Sequence, residues 1–126
     1  MSTNAEMYYA QSREHVMKVK GSAPAVASGF GGFYQSMMKP GDLSVREKEL
    51  VALGIGLAMR CEGCIYAHVR GAMKAGSTRP QILEAAGVAV MMQGGPTYTY
   101  LPKLVDALDA VEAEAAAGAA RAAGGG

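Results

Sequence analysis

Two segments of the chain open with the same punctuation, Ser44-x-x-Glu47 and Thr78-x-x-Gln81. In each, a hydroxyl and a carboxylate or amide three residues later satisfy each other's backbone donors at a helix start. Nowhere does the sequence alternate apolar and polar positions with β-branched residues, which a half-buried strand requires. Helix starts and stops therefore organise the chain. Ala5 to about Lys20 reads as a first helix ended by Gly21. Ser22 is placed to cap a second, with Pro24 in its first turn and a glycine-rich patch at Gly29, Gly31 and Gly32, running to about Met38. Lys39-Pro40-Gly41-Asp42 is a turn, and Ser44 opens a third helix that reaches about Met59. A fourth spans about Cys61 to Lys74, with Gly76 placed to end it in a left-handed conformation. The fifth starts at Thr78 and stops at Gly94-Gly95-Pro96. A last helix begins near Thr97 and carries the stripe Leu101, Leu104, Val105, Leu108 and Val111; Pro102 either sits in its first turn or kinks it. The Ala/Gly-rich end, Ala113 to Gly126, is able to lengthen that helix, and its three final glycines are expected to fray. The fold class predicted is all-α, a single-domain bundle of about six helices.

Composition narrows the function. Of 126 residues, 50% are hydrophobic and 18% charged, which gives the chain enough apolar surface for one core and excludes intrinsic disorder. A formal net charge of +1 offers no electrostatic footprint for nucleic acid or for an anionic membrane surface. The longest apolar run, Leu50 to Met59, is about half the roughly 18 residues a membrane span needs. The first twenty residues carry acidic and polar groups where a secretory signal needs a basic start and an apolar stretch, so the expected location is the cytoplasm. In a reducing compartment, two cysteines two residues apart point to redox or metal chemistry rather than to a structural staple.

That pair lies in Arg60-Cys61-Glu62-Gly63-Cys64-Ile65-Tyr66-Ala67-His68. At 100° per residue Cys61, Cys64 and His68 fall within an arc of about 60° on one helix face. Placed in the first turn, the two thiols face unpaired backbone N–H groups and the positive end of the helix dipole, which stabilise a thiolate. His68, four residues after Cys64, is able to take its proton directly or through a water. The two sulfurs are spaced to close a disulfide once one has been oxidised. On the third helix Glu47 is committed to its capping box, but Glu49 shares a stripe with Val45, Ala52, Gly56 and Met59 and enters a run, Leu50 to Ala58, that is apolar all round and expected to be buried. A buried carboxylate needs a partner, and His68 is the candidate. Bonded to one ring nitrogen, Glu49 would fix the tautomer and leave the other nitrogen to receive a thiol proton. Gly54 and Gly56 have no capping role and are expected to admit another backbone closely.

Glu49 followed by Cys61-x-x-Cys64-x-x-x-His68, with R-E-K-E-L-V-A-L before the motif and an A-x-x-A-G-x-T-like segment after it, resembles the alkylhydroperoxidase D-like branch of the carboxymuconolactone decarboxylase family. The resemblance divides the chain into an N-terminal helical extension (1–29), a family-like core (30–112) and the C-terminal tail (113–126). It implies an alkylhydroperoxidase D-like fold assembled as homotrimers or homohexamers. It also implies a thiol peroxidase or disulfide oxidoreductase that needs no cofactor and no metal, with a hydroperoxide substrate and an external dithiol or disulfide reductant. Carried over residue by residue, Cys64 attacks the peroxide, Cys61 resolves, His68 is the general base and Glu49 orients it. One position departs from the pattern. The best-characterised member has a further histidine between its cysteines where this chain has Glu62-Gly63, which implies either a shorter relay or a less activated thiol.

Two alternatives stay open on the sequence. Cys61, Cys64, His68 and Glu49 could supply four zinc ligands to a metal-binding or redox-sensing oligomer, although structural zinc usually draws on two separated pairs. Lactone chemistry of the decarboxylase type would use Glu49 and His68 alone. A c-type haem is excluded because Ile65 stands where the attachment motif needs histidine. Tyr66, Tyr98, Met91 and Met92 are expected in helix packing, His15 at the surface, and Glu62 in solvent.

Overall fold

The computed structural model describes residues 1–124, all helix and connections, with no strand among them. In chain order the helices are α1 (Asn4–Ser22), α2 (Pro24–Met38), α3 (Val45–Ala58), α4 (Glu62–Lys74), α5 (Arg79–Gln93), the single turn α6 (Gly95–Tyr98) and α7 (Leu101–Gly124). The capping boxes at Ser44–Glu47 and Thr78–Gln81 form as their sequences predict. A third, Thr3–Glu6, starts α1. Pro102 occupies the second position of α7, where its missing N–H costs no hydrogen bond. The same helix continues through the alanine-rich segment to Gly124; the fraying expected of Gly125 and Gly126 lies outside the described residues.

Ser22 does not cap α2 but ends α1, and Ala23 divides the two helices with φ −141° and ψ 67°. The cause is Pro24: its ring disfavours helical dihedrals at the preceding residue, so the break falls at 23. Gly76 and Gly94 adopt positive φ (99° and 76°) and stop α4 and α5. The core is built from Leu53 and Leu57 of α3, Ile65 and Val69 of α4, Ile82 and Ala86 of α5, and Leu104 and Leu108 of α7. Ala5 and Tyr9 of α1 also reach it, Tyr9 through a bond from its hydroxyl to the Tyr66 carbonyl (2.6 Å). Arg79, at the start of α5, ties that helix to Asp109 (2.9 Å) and Glu112 of α7.

α3 is not buried all round. Leu53, Gly56 and Leu57 face the core, whereas Val51 and Ile55 are each 55% exposed. With Leu50, Gly54, Val88 and Met92 they line an open apolar groove of about 430 Å³ between α3 and α5. Gly54 therefore meets nothing within 4 Å, and its absent side chain widens the groove instead of admitting a backbone. Met91, Met92 and Tyr98 are likewise outside the packing expected for them, at 73%, 74% and 64% exposure. α2 contains no buried residue, and its Val26, Phe30, Phe33 and Met37 stand in solvent. No described helix is long and apolar enough to cross a membrane.

Candidate functional site

The site is organised by the corner between α3 and α4. Past Ala58 the chain turns at Arg60, whose φ of 55° makes it the one described non-glycine residue in the left-handed region. The Arg60 N–H bonds to the Leu57 carbonyl (3.0 Å) and the Cys61 N–H to that of Gly56 (3.0 Å), the paired bonds of a Schellman ending. Cys61 is thus both the last residue tied to α3 and the N-cap of α4, where its Sγ accepts from the Cys64 N–H (3.2 Å). Cys61 and Cys64 are joined as a disulfide, with their Cα atoms 5.2 Å apart. The pair sits at the first turn of α4, as its spacing predicts.

The two helices lie against each other through small residues. A Cβ added to Gly56 would come within 2.8 Å of the Cys64 Cβ, so this glycine is what lets the cysteine turn seat on α3. Seven residues earlier on the same face of α3, Glu49 is 8% exposed. Its Oε2 lies 2.8 Å from His68 Nδ1, the pairing its burial demands. A carboxylate is able only to accept here, so Nδ1 donates and Nε2 is the ring nitrogen left free, on the face of α4 that one turn earlier carries Cys64. Gly71, one turn beyond His68, provides the space for this carboxylate: a Cβ there would stand 2.5–2.7 Å from its carbon and both oxygens. Glu49 and Gly56 on α3, and Cys64, His68 and Gly71 on α4, are matched stripes at helical spacing.

Tyr34 joins them from α2. Its ring is offset-stacked on that of His68, with centroids 6.1 Å apart and planes at 18°. Burial, then the charge of Glu49, raises the Tyr34 pKa. Phe30, one turn earlier, packs on Tyr34 (6.1 Å, 53°). The end of α2 is held by Lys48, whose Nζ donates to the Met37 and Lys39 carbonyls (2.8 and 2.5 Å).

Glu62 is not simply in solvent. It accepts from the Tyr66 hydroxyl (2.7 Å), the Asn4 amide (3.1 Å) and Lys103 Nζ (3.3 Å). The first two of these bonds, more than any other influence, hold its carboxyl below the usual carboxylate range. Its charge is thus engaged by α1, α4 and α7 at the end of the bundle where the cysteines lie. Tyr66 is buried as expected, and its own pKa is raised by burial and then by Glu62. His15 is exposed.

The four sequence-predicted residues thus form two bonded pairs on one helix–helix seam. Among the described residues, no three of the His, Cys, Asp and Glu side chains are grouped so as to hold a metal ion. A four-ligand zinc site would need the disulfide opened and the Glu49–His68 bond redirected. Three contributors were missed. Gly71 carried only the weak signal of a mid-helix glycine with no cap to form. Tyr34 shares an i, i+4 face with Phe30, but nothing local says what that face covers. Arg60 has no signal, since left-handed helix ends are read from glycine.

The carboxymuconolactone decarboxylase family matches residues 24–113, and the chain belongs to it. A Paracoccus denitrificans protein named uncharacterized protein 4 in cox locus is 38% identical over 72 residues, 57% of this chain. The match spans only 65% of that relative's own length. An uncharacterized protein of Cupriavidus necator is 31% identical over 90 residues, 71% of this chain and 80% of its own. Among solved structures, a carboxymuconolactone decarboxylase family protein of Legionella pneumophila superimposes with TM-score 0.76 at 32% identity, over 88% of this chain and 96% of that one. A family member from Thermotoga maritima has the same all-helical fold (TM-score 0.78, 23% identity, 87% and 94% coverage).

Proposed function

We propose that the chain is a thiol-dependent peroxidase and disulfide oxidoreductase working through Cys61 and Cys64. The observation that carries this is the Glu49–His68 bond beside a bonded cysteine pair at a helix start. A base whose tautomer is fixed, one turn from a thiol in the positive field of a helix N-terminus, is the arrangement that makes and uses a thiolate. In the reduced protein His68, oriented by Glu49, takes the Cys64 proton. The Cys64 thiolate attacks the outer oxygen of a hydroperoxide; an S–O bond forms, the O–O bond breaks, and the departing alkoxide is protonated to the alcohol. The Cys61 sulfur then attacks the Cys64 sulfenic acid, forming the S–S bond and releasing water. An external dithiol reduces that bond by exchange and is itself oxidised. The exposed apolar faces of α2, α3 and α5 support self-association, and the homotrimer or homohexamer that the family resemblance implies is the working form we propose.

The test is a free-thiol count on reduced protein before and after one equivalent of an organic hydroperoxide, followed over seconds. Both thiols should be lost and a dithiol should restore them; thiols that survive many minutes overturn the proposal. Cys64→Ser and Cys61→Ser should each abolish turnover, with a trappable sulfenic acid only in Cys61→Ser. A sulfenic acid trapped in Cys64→Ser would exchange the two roles. Lactone chemistry by Glu49 and His68 would survive replacement of both cysteines.

A further inference from the structure

We infer that Tyr34 is a positioning residue of this site: its ring, delivered by α2, closes one face of the His68 imidazole and holds the plane in which the base acts. The inference rests on the proposal that His68 serves Cys64. α2 buries none of its side chains, so core packing does not explain where it lies. Beyond its contacts with α1, two attachments fix its far end. Lys48 clasps its last carbonyls, and Tyr34 lies within 18° of parallel to His68. The Tyr34 hydroxyl makes none of the hydrogen bonds found among the described residues, so the flat face of the ring is the contact.

The bond to Glu49 fixes one edge of the imidazole, and one hydrogen bond at one edge does not by itself set the tilt of the ring plane. A planar neighbour on its face sets that tilt and keeps water off one side, and offset stacking at 4.5–7 Å is the favoured aromatic arrangement. Phe30, one turn earlier on α2, touches the Tyr34 ring at a tilt and itself stands largely in solvent, so Tyr34 is the ring that faces His68. A base that must meet a thiol on its own helix gains rate from a fixed plane, since small angular errors weigh heavily in proton transfer.

The experiment compares the full chain with Tyr34→Phe, Tyr34→Leu and Tyr34→Ala, all reduced, using two reagents. Cumene hydroperoxide reads the proposed reaction, and iodoacetamide reads thiolate availability without any peroxide. Tyr34→Phe should stay within about twofold of wild type in both, while Tyr34→Leu and Tyr34→Ala fall about tenfold with helix content unchanged. The His68 Hε1 resonance, one of only two such histidine signals, should move in the Leu and Ala proteins and hold its place in Tyr34→Phe. Should Tyr34→Ala lose helix content, Tyr34→Leu decides. If no protein reacts with hydroperoxide yet alkylation still follows this order, the peroxidase proposal fails and the positioning role stands. Wild-type alkylation in Tyr34→Leu overturns the inference, and so does a tenfold loss in Tyr34→Phe, which would assign the effect to the hydroxyl.

Discussion

Gly71 couples packing to chemistry at a single residue. A methyl group there displaces the Glu49 carboxylate, the far end of a flexible side chain, and not any backbone. That carboxylate is buried against His68, so moving it breaks a buried pair, and the roughly 0.5–1 kcal/mol that alanine returns inside a helix offsets this only in part. Gly71→Ala is expected to lose about 1–3 kcal/mol in urea, and its thiol oxidation by hydroperoxide slows about tenfold because the imidazole has lost its partner. Wild-type oxidation in this variant would contradict the Glu49–His68 geometry. Glu62 makes a prediction in pH. Its carboxyl is held below its usual value of 4.5 by the bonds from Tyr66 and Asn4. The unfolded chain therefore takes up the proton first on acidification, and stability contributed by Glu62 is complete above about pH 4.5 and lost as pH falls below it. Thermal melts should show Glu62→Gln less stable than wild type at pH 6, with the gap narrowing as pH falls below about 4.5. A gap that persists unchanged at low pH would mean the charge of Glu62 does not matter.

At the scale of elements the corner between α3 and α4 dominates. A methyl on Gly56 meets the Cys64 Cβ, which is rooted on the α4 backbone and cannot swing aside. Gly56→Ala should therefore cost about 1–3 kcal/mol in urea denaturation, through backbone repacking and not through a displaced carboxylate. Arg60 invites the opposite change. A non-glycine residue in the left-handed region costs roughly 1–2 kcal/mol, part of which glycine gives back in unfolded-chain entropy, so Arg60→Gly is expected to stabilise by about 0.5–1 kcal/mol. Elements whose signals are complete within a few residues were legible in the sequence. The capping boxes at Ser44 and Thr78 and the glycine stop at Gly94 are of this kind. So was the site, because Cys61, Cys64 and His68 share one helix and Glu49 enters an apolar run that obliges it to find a partner. What escaped depends on contacts between elements. Ser22 looked like a cap until Pro24 forced the break to Ala23, and the run from Leu50 to Ala58 looked buried because hydropathy does not distinguish a core from a face awaiting a neighbour.

The molecule as a whole leaves such faces open. Val51, Ile55, Val88 and Met92 border the groove between α3 and α5, and Phe30, Phe33 and Met37 project from α2. Large contiguous apolar surface of this kind marks a protein–protein contact. Light scattering should give a mass that is a multiple of 13.0 kDa, and Ile55→Lys should lower it without loss of helix content. A wild-type protein that stays at the mass of one chain would contradict this. α2 ties that assembly to the chemistry. A helix with no buried side chain, resting on α1 and fastened at its far end by a lysine clasp and one aromatic face, has little core packing to keep it in place in a lone protomer. If its outward rings are covered only by neighbouring copies, then separating the copies by dilution loosens the very helix that shelters His68. Turnover per chain would then fall as the solution is thinned, and protein concentration itself would set how active each molecule is.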